Sequence, residues 1–136
     1  MQRCLETTTG PYTGTIFILG AYTKIGRRGD NDIQIVEDPK VSRYHAAVFE
    51  NDDGHLVLQD NESRNGTFIG EESVKIGKCY RLRGGDRIVI GASCFRYLEM
   101  SREELTTQHE DKEIRFIGGL ADELTETDAR RAPRKR

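Results

Sequence analysis

The stretch "DPKVSRYHAAVFE", Asp38 to Glu50, sets Ser42 three residues ahead of His45, with Arg43 between them, where an alternating apolar strand begins. Such a pair suits nucleophilic catalysis, a metal fragment or an anion-binding loop. A serine nucleophile needs an exposed position, commonly on a G-x-S-x-G elbow, an acid to orient the histidine, and an oxyanion hole. None of these is legible. The chain also has no G-x-x-x-x-G-K-[ST] loop and no D-F-G or H-R-D signature, so it holds no machinery for moving a phosphoryl group. We assign no catalytic residue. His55 and His109 have no partner at ligand spacing, and Cys4, Cys79 and Cys94 are odd in number and widely spaced, which leaves no metal site, disulfide framework or cofactor to expect.

The anion reading gains support from residues far along the chain. A phosphate monoester carries nearly two negative charges above a pKa of about 6 and offers three acceptor oxygens, so its receptor needs cations and several convergent donors. Arg27 supplies a planar guanidinium, Ser42 a hydroxyl, Arg43 a second cation and Asn65 an amide. Each charge-assisted bond would contribute about 1.5 to 3 kcal/mol.

These residues must be held by the elements around them. From Leu5 to Met100 the sequence alternates short apolar runs ("TIFIL", "DIQIV", "HAAVFE", "HLVLQD", "GTFIG", "DRIVIG", "CFRYLEM") with Gly, Asn and Asp clusters, the pattern of an all-β sandwich or barrel. "NDDGH" (Asn51 to His55) and "RGGD" (Arg83 to Asp86) both read as hairpin loops. "ETTTG" near the start belongs to a first strand. The 136 residues suit one domain, which we end near residue 100. Residues 101–136 are rich in charge with one apolar island, "IRFIGGL", and read as a largely flexible tail with a helical turn near Ser101 to Thr107.

The ordered set Gly26-Arg27, Ser42 to His45, Asn65-Gly66-Thr67, Gly85-Asp86 and Ile90-Gly91 resembles the forkhead-associated (FHA) domain over roughly residues 3 to 100. Several separated motifs agree in order and spacing, whereas S-x-x-H alone would mean nothing. The resemblance implies a β-sandwich of about eleven strands in two sheets whose loops at one end recognise phosphothreonine in a partner's peptide. It implies phosphate binding by Arg27, Ser42 and Arg43, and peptide contacts from Asn65 and Lys40, with Lys40 favouring an acid three residues beyond the phosphothreonine. Gly26, His45, Gly66 and Thr67 would shape and brace the loops. Arg64 departs from the small hydroxyl residue often found before the asparagine and would add positive charge on the peptide side.

The function implied is non-catalytic binding of phosphothreonine segments, as an adaptor downstream of a Ser/Thr kinase. The alternative is an FHA-fold module with a degenerate phosphate site that serves phospho-independent interaction or oligomerisation. Net charge is −2 and the cations lack an aromatic stacking platform, so nucleic acid is not an expected partner. The apolar runs are far shorter than a membrane span, and "MQRCLETTTG" lacks a secretion signal, which together point to the cytoplasm. The tail offers one further partner: Thr125, in "TETD", has an acid three residues on. Counted from a domain edge at residue 100 its tether is long enough for the chain's own site or a neighbour's. The plain alternative is an acidic tail with incidental threonines.

Overall fold

The computed structural model describes residues 1–117. Strands β1 (Gln2–Thr9), β2 (Thr15–Ile18), β3 (Tyr22–Gly26), β4 (Ile33–Gln34), β5 (Ala46–Glu50) and β6 (Leu56–Asp60) are followed by β7 (Thr67–Ile69), β8 (Glu72–Ser73), β9 (Cys79–Arg81), β10 (Arg87–Ile90) and β11 (Ser93–Met100). Helix α1 (Arg102–Gln108) and strand β12 (Glu113–Phe116) complete the described chain. One sheet runs β12-β2-β1-β11-β10-β7-β8 and the other β4-β3-β5-β6-β9.

The period-2 pattern explains the layering. In β11, Ser93, Phe95 and Tyr97 alternate with Cys94, Arg96 and Leu98, and Phe95 and Tyr97 are fully buried between the sheets. They join Leu5, Phe17, Ile25, Val48, Leu58, Ile88 and Ile90 in one core. A large apolar side chain contributes about 1.5 to 3 kcal/mol when fully buried, so this cluster is the main force holding the sheets together.

"NDDGH" does form the β5–β6 hairpin, with Asn51 Oδ1 accepting from the backbone N–H groups of Asp53 and His55. "RGGD" is a different connection. It joins β9 of one sheet to β10 of the other, so it is a crossover and not a hairpin. Turn composition marks a reversal without saying which strand pairs with which.

Folded structure also extends past residue 100. Ser101 caps α1 through a capping box, its hydroxyl accepting from Glu104 N at 3.1 Å while Glu104 Oε1 accepts from Ser101 N at 2.8 Å. Strand β12 pairs parallel with β2, from Glu113 opposite Thr15 to Phe116 opposite Ile18. Leu105 is buried with Cys4, Ile16, Ile18 and Met100 in a second apolar cluster on the outer face of the larger sheet, packed by Ile114 and Phe116. Sparse apolar residues therefore suffice here because an existing sheet offers them a surface. Residues 118–136, which hold Thr125 and the rest of the expected flexible tail, lie outside the described part.

Among the described residues no helix is long and apolar enough to cross a membrane.

Candidate functional site

Three loops meet at one end of the sandwich: β3–β4, β4–β5 and β6–β7. They border an open groove of about 810 Å³ lined by Arg27, Lys40, Ser42, Arg43, Tyr44, Arg64 and Asn65, together with Pro39, Val41, Asn61 and Glu62. All six residues singled out for phosphate and peptide contact thus fall on one surface. Four of the lining residues are cations against the single acid Glu62, which gives the groove a local positive field in a chain of net charge −2.

Arg27 is exposed at the end of β3 and is fixed at its base. Its Nε donates to Val41 O at 2.9 Å and its backbone N donates to Ser42 O at 3.0 Å. Among the described residues only Nε of its guanidinium is engaged, so both terminal nitrogens are free to donate to a ligand. The Ser42 hydroxyl accepts from Arg64 N at 3.0 Å. Since that contact uses an oxygen lone pair, the hydroxyl proton must point elsewhere and is left free to donate.

His45 is fully buried and joins two of the loops. Its Nδ1 accepts from Ser42 N at 3.0 Å, and its Nε2 lies 2.8 Å from Gly66 O. The first partner can only donate and the second can only accept, which selects the neutral tautomer protonated on Nε2. Burial depresses its pKa below the usual 6.5 and reinforces that form. The Ser42–His45 contact runs through the serine's backbone nitrogen and not its hydroxyl, so this is not the geometry of a nucleophile and its base.

Two glycines are needed for shape. A Cβ on Gly26 would collide with Arg43 O and lie 2.8 Å from Asn31 Nδ2, so only a glycine lets β3 pass this close to the loop carrying Ser42 and Arg43. Gly66 has φ of +89°, the left-handed turn region that follows Asn65. Asn65 Nδ2 donates to Lys40 O at 3.0 Å, so its amide links the second and third loops before any ligand binds.

Several further residues position the site. Buried Asp60, at the end of β6, accepts from Ser63 N at 3.0 Å, Ser63 Oγ at 2.5 Å and Thr67 Oγ1 at 2.6 Å, which fixes both ends of the Arg64–Asn65 turn. Asp38 accepts from Lys40 N at 3.0 Å and from Ala92 N at 2.9 Å, which ties the Lys40 loop to the β10–β11 turn. Asn31 Nδ2 donates to Arg28 O at 2.9 Å and Arg43 O at 2.8 Å. Asp60 and Ser63 form a short side-chain-to-backbone turn that composition could have suggested. Asp38 and Asn31 act over long separations that no single-sequence pattern exposes.

Tyr44 adds an aromatic wall, its hydroxyl donating to Asp30 Oδ2 at 2.8 Å and its ring 5.8 Å from the Arg28 guanidinium carbon. Among the described residues no group of three or more His, Cys, Asp and Glu is placed to hold a metal.

A family model for the FHA domain matches residues 23–91, about half of the chain. The DNA damage response protein kinase DUN1 of Saccharomyces cerevisiae is 38% identical over 98 residues, a match covering 65% of this chain and 18% of that kinase. The chain therefore spans under a fifth of the length of this relative. Among solved structures, the FHA domain of an Arabidopsis thaliana hypothetical protein is 26% identical with a TM-score of 0.67, covering 74% of this chain and 86% of that one. Mycobacterium tuberculosis EmbR, solved with a low-affinity phosphopeptide, is 30% identical with a TM-score of 0.62 over 71% of this chain and 24% of its own. The N-terminal FHA domain of Saccharomyces cerevisiae Rad53p, solved with a phosphothreonine peptide, shares the fold at 22% identity, with a TM-score of 0.66 over 74% of this chain and 94% of its own.

Proposed function

Because this chain belongs to the FHA-domain family, whose members bind phosphothreonine peptides, we propose that its groove binds phosphothreonine-containing protein segments and does not transform them. The observation that carries this reading is the convergence of Arg27, Ser42, Arg43 and Asn65 on one polar groove, with the Ser42 hydroxyl held as a donor and the Arg27 terminal nitrogens free among the described residues. Arg27, Ser42 and Arg43 take the phosphate oxygens. Asn65, already bonded to Lys40 O, presents its remaining amide groups to the peptide main chain. Lys40 and Arg64 draw acidic flanking residues. Gly26, His45, Gly66 and Thr67 keep the three loops in register.

This reading makes the domain an adaptor in the cytoplasm that couples the output of a Ser/Thr kinase to a regulatory or assembly partner. It assigns no kinase activity to the chain, since the match to the yeast kinase covers only a small part of that enzyme. A phosphothreonine peptide array tests it, with the position three beyond the phosphothreonine varied and an unphosphorylated twin for each peptide. Phosphorylation-dependent binding with acidic preference, lost in Arg27→Ala, is the expected result. Equal binding of the twins would instead favour a phospho-independent interaction module.

A further inference from the structure

The described fold changes where the C-terminal segment leaves the domain. Strand β3 ends at the groove, with Gly26 leading into Arg27, so its first residue, Tyr22, lies at the other end of the sandwich. Strand β2 leads to Tyr22 through a short connection, and β12 runs parallel to β2, with Ile117 N donating to Ile18 O at 3.0 Å. The same end holds the Arg3–Glu50 ion pair and the bond from Glu50 N to Ala21 O. The chain therefore exits at the end opposite the groove.

Thr125 follows Ile117 by eight residues, a span of at most about 26 to 29 Å when fully extended. A route to the chain's own groove must cover the length of the strands, roughly 15 to 25 Å at about 3.3 Å per residue, and also cross the sandwich, about 10 Å thick. That takes up most or all of a fully extended tether and leaves at most a few ångström to lie along the groove. A second molecule's groove imposes no such limit.

Charge selects the segment. Thr125 is flanked by Asp122, Glu123, Glu126 and Asp128, opposite in sign to Arg27, Lys40, Arg43 and Arg64. Thr127 is followed closely by Arg130 and Arg131, which those cations repel. Thr8, Thr13, Thr106 and Thr107 donate their hydroxyls to backbone carbonyls, Thr9 is held in β1 opposite Cys94, and Thr7, Thr15, Thr23 and Thr67 are buried.

We propose that Thr125, once phosphorylated, occupies the groove of a second copy of this chain, so that phosphorylation drives head-to-tail self-association. The proposal rests on the phosphothreonine reading above. The modification itself is transfer of the γ-phosphoryl group of ATP to the Thr125 hydroxyl by a separate Ser/Thr kinase, releasing ADP and the hydroxyl proton. A head-to-tail contact closes into a ring or reciprocal pair if the geometry permits and otherwise grows as an open chain.

The test uses the full chain carrying phosphothreonine at position 125, installed synthetically, with mass followed by light scattering over about a hundredfold concentration range. The expected mass rises from monomer to at least twice that value. A phosphorylated chain carrying Arg27→Ala should stay monomeric alone, yet form a one-to-one complex with an unphosphorylated chain whose groove is intact. A monomer at every concentration overturns the proposal, whether its groove still binds an added phosphothreonine peptide, which makes the tail no ligand, or is blocked to it, which places the tail in its own site. A binding assay on the unphosphorylated chain separates the two levels. If it binds no phosphothreonine peptide the functional reading fails as well, whereas binding of others but not of a phosphorylated 118–132 peptide defeats only the self-association.

Discussion

The groove loops and the segment packed on the outer face of the larger sheet are held by different forces. At the groove end, exposed cations stand on loops whose shape comes from polar groups: buried His45, Asp60 and Asn31 and half-buried Asp38 each bond to backbone or hydroxyl donors and acceptors. Away from it, the side chains of Leu105, Ile114, Phe116 and Met100 hold α1 and β12 to the outer face of the larger sheet, with the backbone ladder of β12 on β2 and the Lys112–Glu6 ion pair beside them. Apolar burial is tolerant of small displacements, whereas hydrogen bonds fix direction, so loops that must hold exposed side chains in set directions are built on polar anchors.

Asp60→Ala is the harshest way to break that contrast. It leaves the Ser63 N–H and two hydroxyls without their acceptor in a buried place, at about 1 to 3 kcal/mol per unsatisfied group. Both thermal stability and phosphopeptide affinity should fall, as read by a melting curve and a titration. Leu105→Ala should cost stability alone, about 2 to 5 kcal/mol as for other buried leucines, with peptide affinity unchanged when measured below the melting transition. A parallel loss of affinity would mean that the two regions are not independent.

Arg27→Ala reverses the pattern: the melting curve should stay close to that of the parent chain, and affinity should drop about tenfold to a hundredfold, the equivalent of about 1.5 to 3 kcal/mol. The smallest effect concerns pH. His45 is neutral in the fold with a pKa below 6.5, so the unfolded chain takes up its proton first on acidification. The stability linked to His45 is complete above about 6.5 and is lost as pH falls towards the folded-state value. Melting curves without peptide should show this decline, and His45→Gln should flatten it while lowering stability at neutral pH.

That Arg27, Ser42, Arg43 and Asn65 share one surface is legible in the sequence because arginine, serine and asparagine declare their chemistry by type, and because their loops are marked by Gly26 and Gly66. The strands were readable for a related reason, since alternation in a run such as "SCFRYLEM" follows directly from a buried and a solvated face. What stayed hidden depends on which parts of the chain meet. Asp38 reaches Ala92 and Asn31 reaches Arg43 across separations that only the fold brings together. The same reason hid the pairing of β12. "EIRF" is too short and isolated to suggest a strand until β2 supplies the edge it pairs with, so strand structure past residue 100 leaves no local mark in the sequence.

The most direct measurement of the central claim is a titration of the chain with one phosphothreonine peptide bearing an acid three residues on, beside its unphosphorylated twin, for the parent chain and for Arg27→Ala. Saturable binding of the phosphorylated peptide alone, weakened at least tenfold by the substitution with no change in the melting curve, is the predicted result. Equal affinity for both peptides, or a phosphopeptide affinity indifferent to Arg27, would contradict it.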